Sequence, residues 1–107
     1  MSAEYQADIV KYAGSANEKA VAAIVKHLGI ALKSRDASMV SCSSKSELER
    51  VRESWLKKKL ALTDSDADLD SAIKDVCEQM KATNQKSRVT FYYLLAQKYG
   101  KVDTLAA

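Results

Sequence analysis

One stretch near the C-terminus decides the fold: Arg88-Val-Thr-Phe-Tyr-Tyr-Leu-Leu-Ala-Gln-Lys-Tyr99. Its β-branched and aromatic residues favour a strand by propensity alone. A strand needs a partner for its backbone groups, however, and no other segment alternates polar and apolar residues with period two. The stretch is therefore predicted to be a helix. Since Phe91 to Leu95 are all large and apolar, this helix is expected to be central and covered by others.

The polar side of this predicted helix is narrow. On a wheel of about 100° per residue, Lys86, Thr90 and Gln97 form the only polar stripe, and the helix is expected to end at Gly100. Leu94 lies apart from the main apolar face, on the far side of that stripe. We therefore expect a second neighbouring helix to cover Leu94.

Apolar residues recur at helical spacing in four upstream segments: 5–12, 21–32, 48–60 and 69–80. The chain has no proline and three glycines, a composition that favours helices over sheets linked by tight turns. At 107 residues it is long enough for one domain with its own core. The sequence therefore predicts an all-α fold, a compact bundle of about five helices in a single domain, residues 1–107.

Local signals place the ends of several helices. Ser15-Ala-Asn-Glu18 has the pattern of a capping box and would open the second helix. Either Ser44-Lys-Ser-Glu47 or Ser46-Glu-Leu-Glu49 would open the third in the same way. Gly29 ends the second helix in a Schellman motif or lies within a longer helix, and the sequence leaves both open. Six serines between residues 34 and 46 predict the longest loop.

The two cysteines show no paired spacing. Cys42 and Cys77 are far apart, and the N-terminus lacks the basic start and apolar segment of a signal peptide. We therefore expect two free thiols in a reducing cytoplasm. No apolar run approaches the length that crosses a bilayer, so no membrane association is expected.

The net charge of +3 is small, but it is distributed unevenly. Residues 63–80 carry one basic and six acidic groups, whereas 41–62 carry six and three, and 81–107 carry five and one. A segment at −5 thus lies between segments at +3 and +4. The simplest interpretation is mutual neutralisation between neighbouring elements.

The acidic segment resembles a calcium loop only superficially. An EF-hand needs glycine at its sixth position and a bidentate glutamate at its twelfth. From Asp64 those positions hold Leu69 and Asp75, and from Asp66 they hold Ser71 and Cys77. The aspartates are better explained as an acidic first turn that complements a helix dipole.

Catalytic and metal-binding patterns are also missing from the sequence. Cys42 would need a base to act as a nucleophile, and nothing places the single histidine, His27, beside it. One histidine and two separated cysteines do not make a zinc site, and no glycine-rich loop could hold a phosphate. We expect no enzyme activity, no cofactor and no metal.

A basic segment offers a candidate interaction surface. Lys57, Lys58 and Lys59 could contact phosphates, although consecutive lysines point to different sides of a helix. Arg88 could add to this surface, and Tyr93 and Leu94 could seed a protein contact if they were exposed. No recognised nucleic-acid motif accompanies these residues.

Four phrases together resemble domain-of-unknown-function family 2853, a group of small bacterial proteins. They are 25–32 (VKHLGIAL), 40–43 (VSCS), 49–60 (ERVRESWLKKKL) and 87–95 (SRVTFYYLL). The resemblance implies a compact bacterial protein over nearly the whole chain, and it transfers no functional residue because the family has no assigned activity.

The favoured function is a non-enzymatic protein-interaction or regulatory module in the bacterial cytoplasm, with an unknown protein partner. The alternative is nucleic-acid binding through the basic surface of helices three and five. The sequence leaves the oligomeric state open.

Overall fold

The computed structural model describes residues 2–33, 38–83 and 86–106, and it confirms the prediction of a mostly helical domain. The described residues form six α-helices, one π-helical segment, one 3₁₀ turn and a two-stranded ribbon. In chain order the elements are α1 (Ser2–Ala13), α2 (Glu18–Leu28), the 3₁₀ turn (Gly29–Lys33), β1 (Met39–Val40), α3 (Lys45–Arg50), the π segment (Val51–Lys59), α4 (Asp66–Gln79), β2 (Lys86–Ser87), α5 (Arg88–Lys98) and α6 (Val102–Ala106).

The central helix is α5, as predicted. It contacts α1, α2, α4 and α6, and every residue from Arg88 to Ala96 is buried. Leu94 is only 3% exposed, so a neighbour does cover it. The last helical residue is Lys98, and the helix is closed at Gly100, as predicted: the backbone takes a positive φ of 67° there, and the amide of Lys101 donates to the carbonyl of Ala96 at 2.8 Å.

The predicted polar stripe of α5 is wrong at Thr90. This side chain is fully buried, and its hydroxyl donates a hydrogen bond to the carboxylate of Asp8 on α1. Burying a hydroxyl is unfavourable unless it finds a partner. Asp8 supplies that partner, which lets α1 cover a side of α5 that the wheel assigned to solvent.

The predicted capping box at the start of α2 is also wrong. Asn17 is the N-cap, and its side-chain oxygen accepts from the amides of Lys19 and Ala20 at 3.1 and 3.2 Å. The amide of Asn17 donates to the hydroxyl of Tyr93 at 2.9 Å, which fixes the helix start against α5. Of the two alternatives left open for Gly29, the structure shows the helix end. Gly29 caps α2 with a φ of 45°, and its amide donates to the carbonyl of Val25.

The third predicted helix changes its geometry at Val51. Ser44 caps the α-helical part, as one of the two predicted capping boxes required. The helix then continues as a π segment, in which each backbone hydrogen bond reaches one residue further back than in an α-helix. Val51, Trp55, Leu56 and Leu60 are all buried. At 3.6 residues per turn these four would spread over roughly 180° of the helix. At about 4.4 residues per turn they fall within roughly 80°, so the wider helix presents them together to the core.

Two residues after this segment, the backbone enters the left-handed region. Ala61 has a φ of 54°, a conformation that side chains other than glycine adopt at a cost. The amides of Leu60 and Leu62 bond the carbonyls of Trp55 and Leu56 at 2.9 and 3.0 Å, which closes the helix end around Ala61.

The serine-rich segment predicted as a loop is shorter than expected. Residues 34–37 lie outside the described part, and Met39–Val40 form a short strand that pairs antiparallel with Lys86–Ser87. Arg88 reinforces this ribbon, since its amide donates to the carbonyl of Ser38 at 2.8 Å and its guanidinium to that of Met39 at 3.1 Å. The start of α5 is therefore joined to the segment that leads into α3.

Candidate functional site

The two cysteines are bonded to each other. Cys42 lies in the turn between β1 and α3, and Cys77 lies in the last turn of α4. Their Cα atoms are 6.0 Å apart and their sulfur atoms form a disulfide, so the prediction of two free thiols is wrong. A separation of 35 residues concealed the pair, because only the packing of α3 against α4 brings them together.

The disulfide is not sealed in the core. Both cysteines are half-buried and pack against the outside of the apolar cluster. Cys42 lines a cleft of about 370 Å³ between its own turn, α3 and α4. A cleft of this volume is within the range that holds small ligands.

The lining of the cleft combines apolar and charged side chains. Leu48 and Ile73 supply the apolar part. Lys45, Glu49 and Lys74 supply charged groups, and all three are exposed. Within the described part of the chain, none of these three side chains forms an ion pair or a hydrogen bond.

The remaining charges of the cleft are already paired. Arg52 donates to both carboxylate oxygens of Asp70 at 3.0 Å and to Glu53 at 2.9 Å, and it lies 3.8 Å from Asp66. Hydrogen bonds to Glu53 and Asp70 raise the pKa of Arg52, which keeps it charged. Arg52 is thus committed to the protein's own carboxylates.

Lys57 extends this network on the π segment. Its ammonium is 2.6 Å from Asp66 and 2.9 Å from Glu53, and these contacts raise the pKa of Lys57. The hydrogen bond from Lys57 lowers the pKa of Asp66, and hydrogen bonds from Lys57 and then Arg52 lower that of Glu53. The basic and acidic segments of the sequence therefore neutralise each other here, as the charge distribution suggested.

The candidate interaction surface of the sequence is not formed as one patch. Lys58 and Lys59 are exposed, whereas Lys57 is neutralised by its two carboxylates. Arg88, Tyr93 and Leu94 are 5%, 3% and 3% exposed, so none of them is available to a partner on the surface. Whether Lys58 and Lys59 bind a partner stays a prediction.

Arg88 serves the interior instead. Its guanidinium pairs with the carboxylate of Glu47, lies 5.7 Å from the centre of the Tyr92 ring and donates to the Tyr92 hydroxyl at 3.3 Å. The sequence marked Glu47 only as part of a capping box. The backbone amide of Glu47 does donate to the hydroxyl of Ser44, but the carboxylate of Glu47 accepts a hydrogen bond from Arg88. An arginine directly before a long apolar run was the signal that could have indicated a buried pair.

His27 and Trp55 form a second contact that the sequence did not predict. The Trp55 ring stacks on the Tyr92 ring with their centres 4.6 Å apart, and Nε1 of Trp55 donates to the carbonyl of Tyr92 at 3.1 Å. The centre of the His27 ring lies 5.2 Å from that of the Trp55 ring. Partial burial, and secondarily the charge of Lys59, lower the pKa of His27. His27 is not among the residues that line the Cys42 cleft.

The acidic residues of α4 serve the fold. Ser65 caps the helix by accepting from the amide of Asp68 at 3.2 Å, and Asp75 pairs with Lys98 at 3.1 Å. Among the described residues, no three His, Cys, Asp or Glu side chains converge in a way that could hold a metal ion. The expectation of no metal and no cofactor stays a prediction.

Residues 4–103 match the protein family described as "Protein of unknown function (DUF2853)". The chain belongs to the DUF2853 family. The match covers nearly the whole chain and confirms the resemblance seen in the sequence. Comparison of this DUF2853 chain with curated proteins finds no match. No helix in 2–33, 38–83 or 86–106 is long and apolar enough to span a bilayer.

Proposed function

We propose that this protein is a non-enzymatic regulatory module of the bacterial cytoplasm, whose binding to a protein partner is set by the redox state of Cys42 and Cys77. The observation that carries the proposal is a disulfide between two half-buried cysteines at the edge of a cleft. In a reducing compartment such a bond is generally transient or redox-sensing rather than a permanent support.

Access to the sulfur supports a reversible bond. Thiol–disulfide exchange requires a thiolate to reach one sulfur atom of the bond. Cys42 lines the cleft, so a reductant can approach it without unfolding of the domain. A disulfide enclosed in the core would offer no such route.

The anchoring of Cys42 supports a conformational effect of reduction. The strand before it has two residues, and in the part of the chain that the structure describes the hydroxyls of the serines around it bond only within residues 41–47: Ser41 to Ser43 and Ser44 to Ser46 at 3.2 Å, with Ser44 also accepting from the amide of Glu47 at 3.3 Å. The disulfide is therefore the covalent tie between this turn and α4. Its reduction would free the turn to move away from Leu48 and Ile73, and it would expose apolar surface to a partner.

The surroundings of Cys42 support binding rather than catalysis. A catalytic cysteine needs a nearby base, and the charged groups of the cleft are two lysines, a glutamate and an arginine already paired with Asp70. The only histidine packs against Trp55. No histidine therefore lines the cleft beside Cys42, which favours binding over catalysis.

The redox state in the native cell tests the first half of this proposal. Cells are quenched in acid, and free thiols are then labelled with a polyethylene-glycol maleimide that shifts the protein on a gel. We expect the oxidised fraction to rise on treatment with hydrogen peroxide and to fall during recovery. A protein that stays entirely oxidised or entirely reduced throughout would overturn the proposal.

Differential capture of partners tests the second half. The oxidised wild-type chain is compared with Cys42→Ser/Cys77→Ser, which cannot form the bond. Ser41→Ala/Ser43→Ala is the matched control, because it alters the same turn and keeps the disulfide. We expect at least one protein to be retained by only one redox form, with the control behaving like wild type. Identical sets of bound proteins from both forms would contradict a redox-controlled interaction.

A second candidate function is nucleic-acid binding, and the exposed Lys58 and Lys59 favour it. Helix α5 contributes little to such a surface, since Arg88 is buried and Lys98 is paired with Asp75. Phosphate contacts make binding fall steeply with salt. Retention on mixed DNA or RNA at low salt that Lys58→Ala/Lys59→Ala abolishes would support this function, and no retention would remove it.

A further inference from the structure

The Cys42 cleft combines an electrophilic sulfur with uncommitted charges. The described part of the cleft contains three cationic side chains, but Arg52 is fully engaged by Asp70 and Glu53. Lys45, Lys74 and Glu49 remain without ion pairs among the described residues. The groups free to bind a ligand are thus two ammonium groups and one carboxylate, which line the same cleft as Cys42.

We propose that this cleft binds a low-molecular-weight peptide thiol that carries more carboxylates than amines, and that it directs the thiol's sulfur to Cys42. This inference rests on the proposed redox regulation and specifies its reductant. Lys45 and Lys74 would each bind a carboxylate, and Glu49 would bind the amine. The cleft volume of about 370 Å³ is enough for a ligand of this size.

The chemistry is an exchange of two electrons. The ligand's thiol loses its proton to water, and its thiolate attacks the sulfur of Cys42. A mixed disulfide forms at Cys42, the bond to Cys77 breaks, and Cys77 leaves as a thiolate that takes up a proton. A second molecule of the thiol attacks the ligand's sulfur in the mixed disulfide and frees Cys42 as a thiol. Two ligand thiols are thereby oxidised to one disulfide, and the protein's disulfide is reduced.

The selectivity arises from charge, so a series of thiols of different charge can test it. The oxidised full-length protein is reduced with glutathione, with 3-mercaptopropionate, with neutral 2-mercaptoethanol or with cationic cysteamine. Rates are followed by maleimide labelling and corrected both for each reagent's thiolate fraction and for the lower nucleophilicity of thiolates whose thiol pKa is lower. Two ion pairs near a protein surface can supply about a tenfold preference. We expect glutathione to react about tenfold faster than 2-mercaptoethanol after correction, with cysteamine slowest.

Variants separate local recognition from overall charge. Lys45→Gln/Lys74→Gln should remove the preference for glutathione. Lys19→Gln/Lys26→Gln lowers the net charge equally through two exposed lysines of α2, and it should keep the preference. Lys45→Glu/Lys74→Glu should reverse the order and favour cysteamine. Corrected rates that are equal for all four reagents, or that change equally in both glutamine variants, would overturn the inference.

Dithiothreitol distinguishes this inference from the proposed function. If dithiothreitol reduces the folded protein but the small thiols show no selectivity by charge, the peptide-thiol site is wrong and redox regulation stands. If dithiothreitol reduces the disulfide only when denaturant is added, the bond is inaccessible in the native state, and both proposals fail.

Discussion

From Arg88 to Ala96 every side chain of α5 is buried, and the only charge in that stretch is paired with Glu47. Around Cys42 the arrangement is the opposite, because the disulfide is half-buried and charged side chains on exposed residues surround a cleft. The first region is held by contacts that solvent cannot reach. The second is held by a covalent bond between two half-buried cysteines, one of which lines the cleft. Under the proposed redox regulation, the fold separates the part that maintains the structure from the part that responds to the cell.

Removing the charge of Arg88 is expected to have the largest effect on stability. Arg88→Met leaves the Glu47 carboxylate largely buried without its partner, and breaking a buried pair costs about 3–5 kcal/mol. The matched control is Arg50→Met, since Arg50 approaches the same carboxylate at 3.9 Å but has a side chain that is 71% exposed. Urea unfolding should show that the control loses no more than about 0.5 kcal/mol of its free energy of unfolding. Equal losses in the two variants would show that α5 is not distinguished by its burial.

Truncation of the two central leucines is the next largest effect. Leu94→Ala and Leu95→Ala should each lower the free energy of unfolding by about 2–5 kcal/mol, because both side chains are buried. Val10→Ala is the control, since Val10 is 45% exposed and its truncation should cost about 0.5 kcal/mol or less. A small cost at Leu94 alone would mean that its neighbours do not cover it in solution.

Reduction of the disulfide should lower the free energy of unfolding by less than the substitutions of Arg88, Leu94 and Leu95. A bond that closes a loop of this length restricts the unfolded chain, and its loss lowers the free energy of unfolding by about 2–4 kcal/mol. The reduced protein should still unfold cooperatively, because the core does not depend on Cys42. Cys42→Ser/Cys77→Ser should match the reduced wild type. Complete unfolding on reduction would make the bond a structural requirement and not a switch.

Ala61→Gly should change the free energy of unfolding least, and it should raise this free energy where the other substitutions lower it. Ala61 occupies the left-handed region, so Ala61→Gly relieves strain and should raise the free energy of unfolding by about 0.5–1 kcal/mol. The same substitution at the exposed Ala22, within α2, should lower it by a similar amount. A loss of stability at both positions would argue against the helix end described around Ala61.

The same contrast explains what the sequence could predict. The helical nature of α5 and the burial of Leu94 followed from an apolar run that has no other stable arrangement. The π segment was missed because a helical wheel assumes 3.6 residues per turn, although the spacing of Val51, Trp55, Leu56 and Leu60 fits a wider helix. The Cys42–Cys77 bond and the Arg88–Glu47 pair were missed because each joins residues more than 30 positions apart. Contacts of that kind depend on how helices pack: an arginine beside the apolar run could indicate that it is buried in a pair, but no local pattern identifies its partner.

Reduction is expected to change the cleft and to leave the core in place. Two-dimensional ¹H–¹⁵N correlation spectra of the oxidised and reduced full-length protein test this directly. We expect chemical-shift changes that extend from the Cys42 turn through α3 and along the facing side of α4, with the amides of Phe91 to Ala96 unchanged. Changes confined to Cys42, Cys77 and their immediate neighbours would contradict it, as would changes that spread throughout α5.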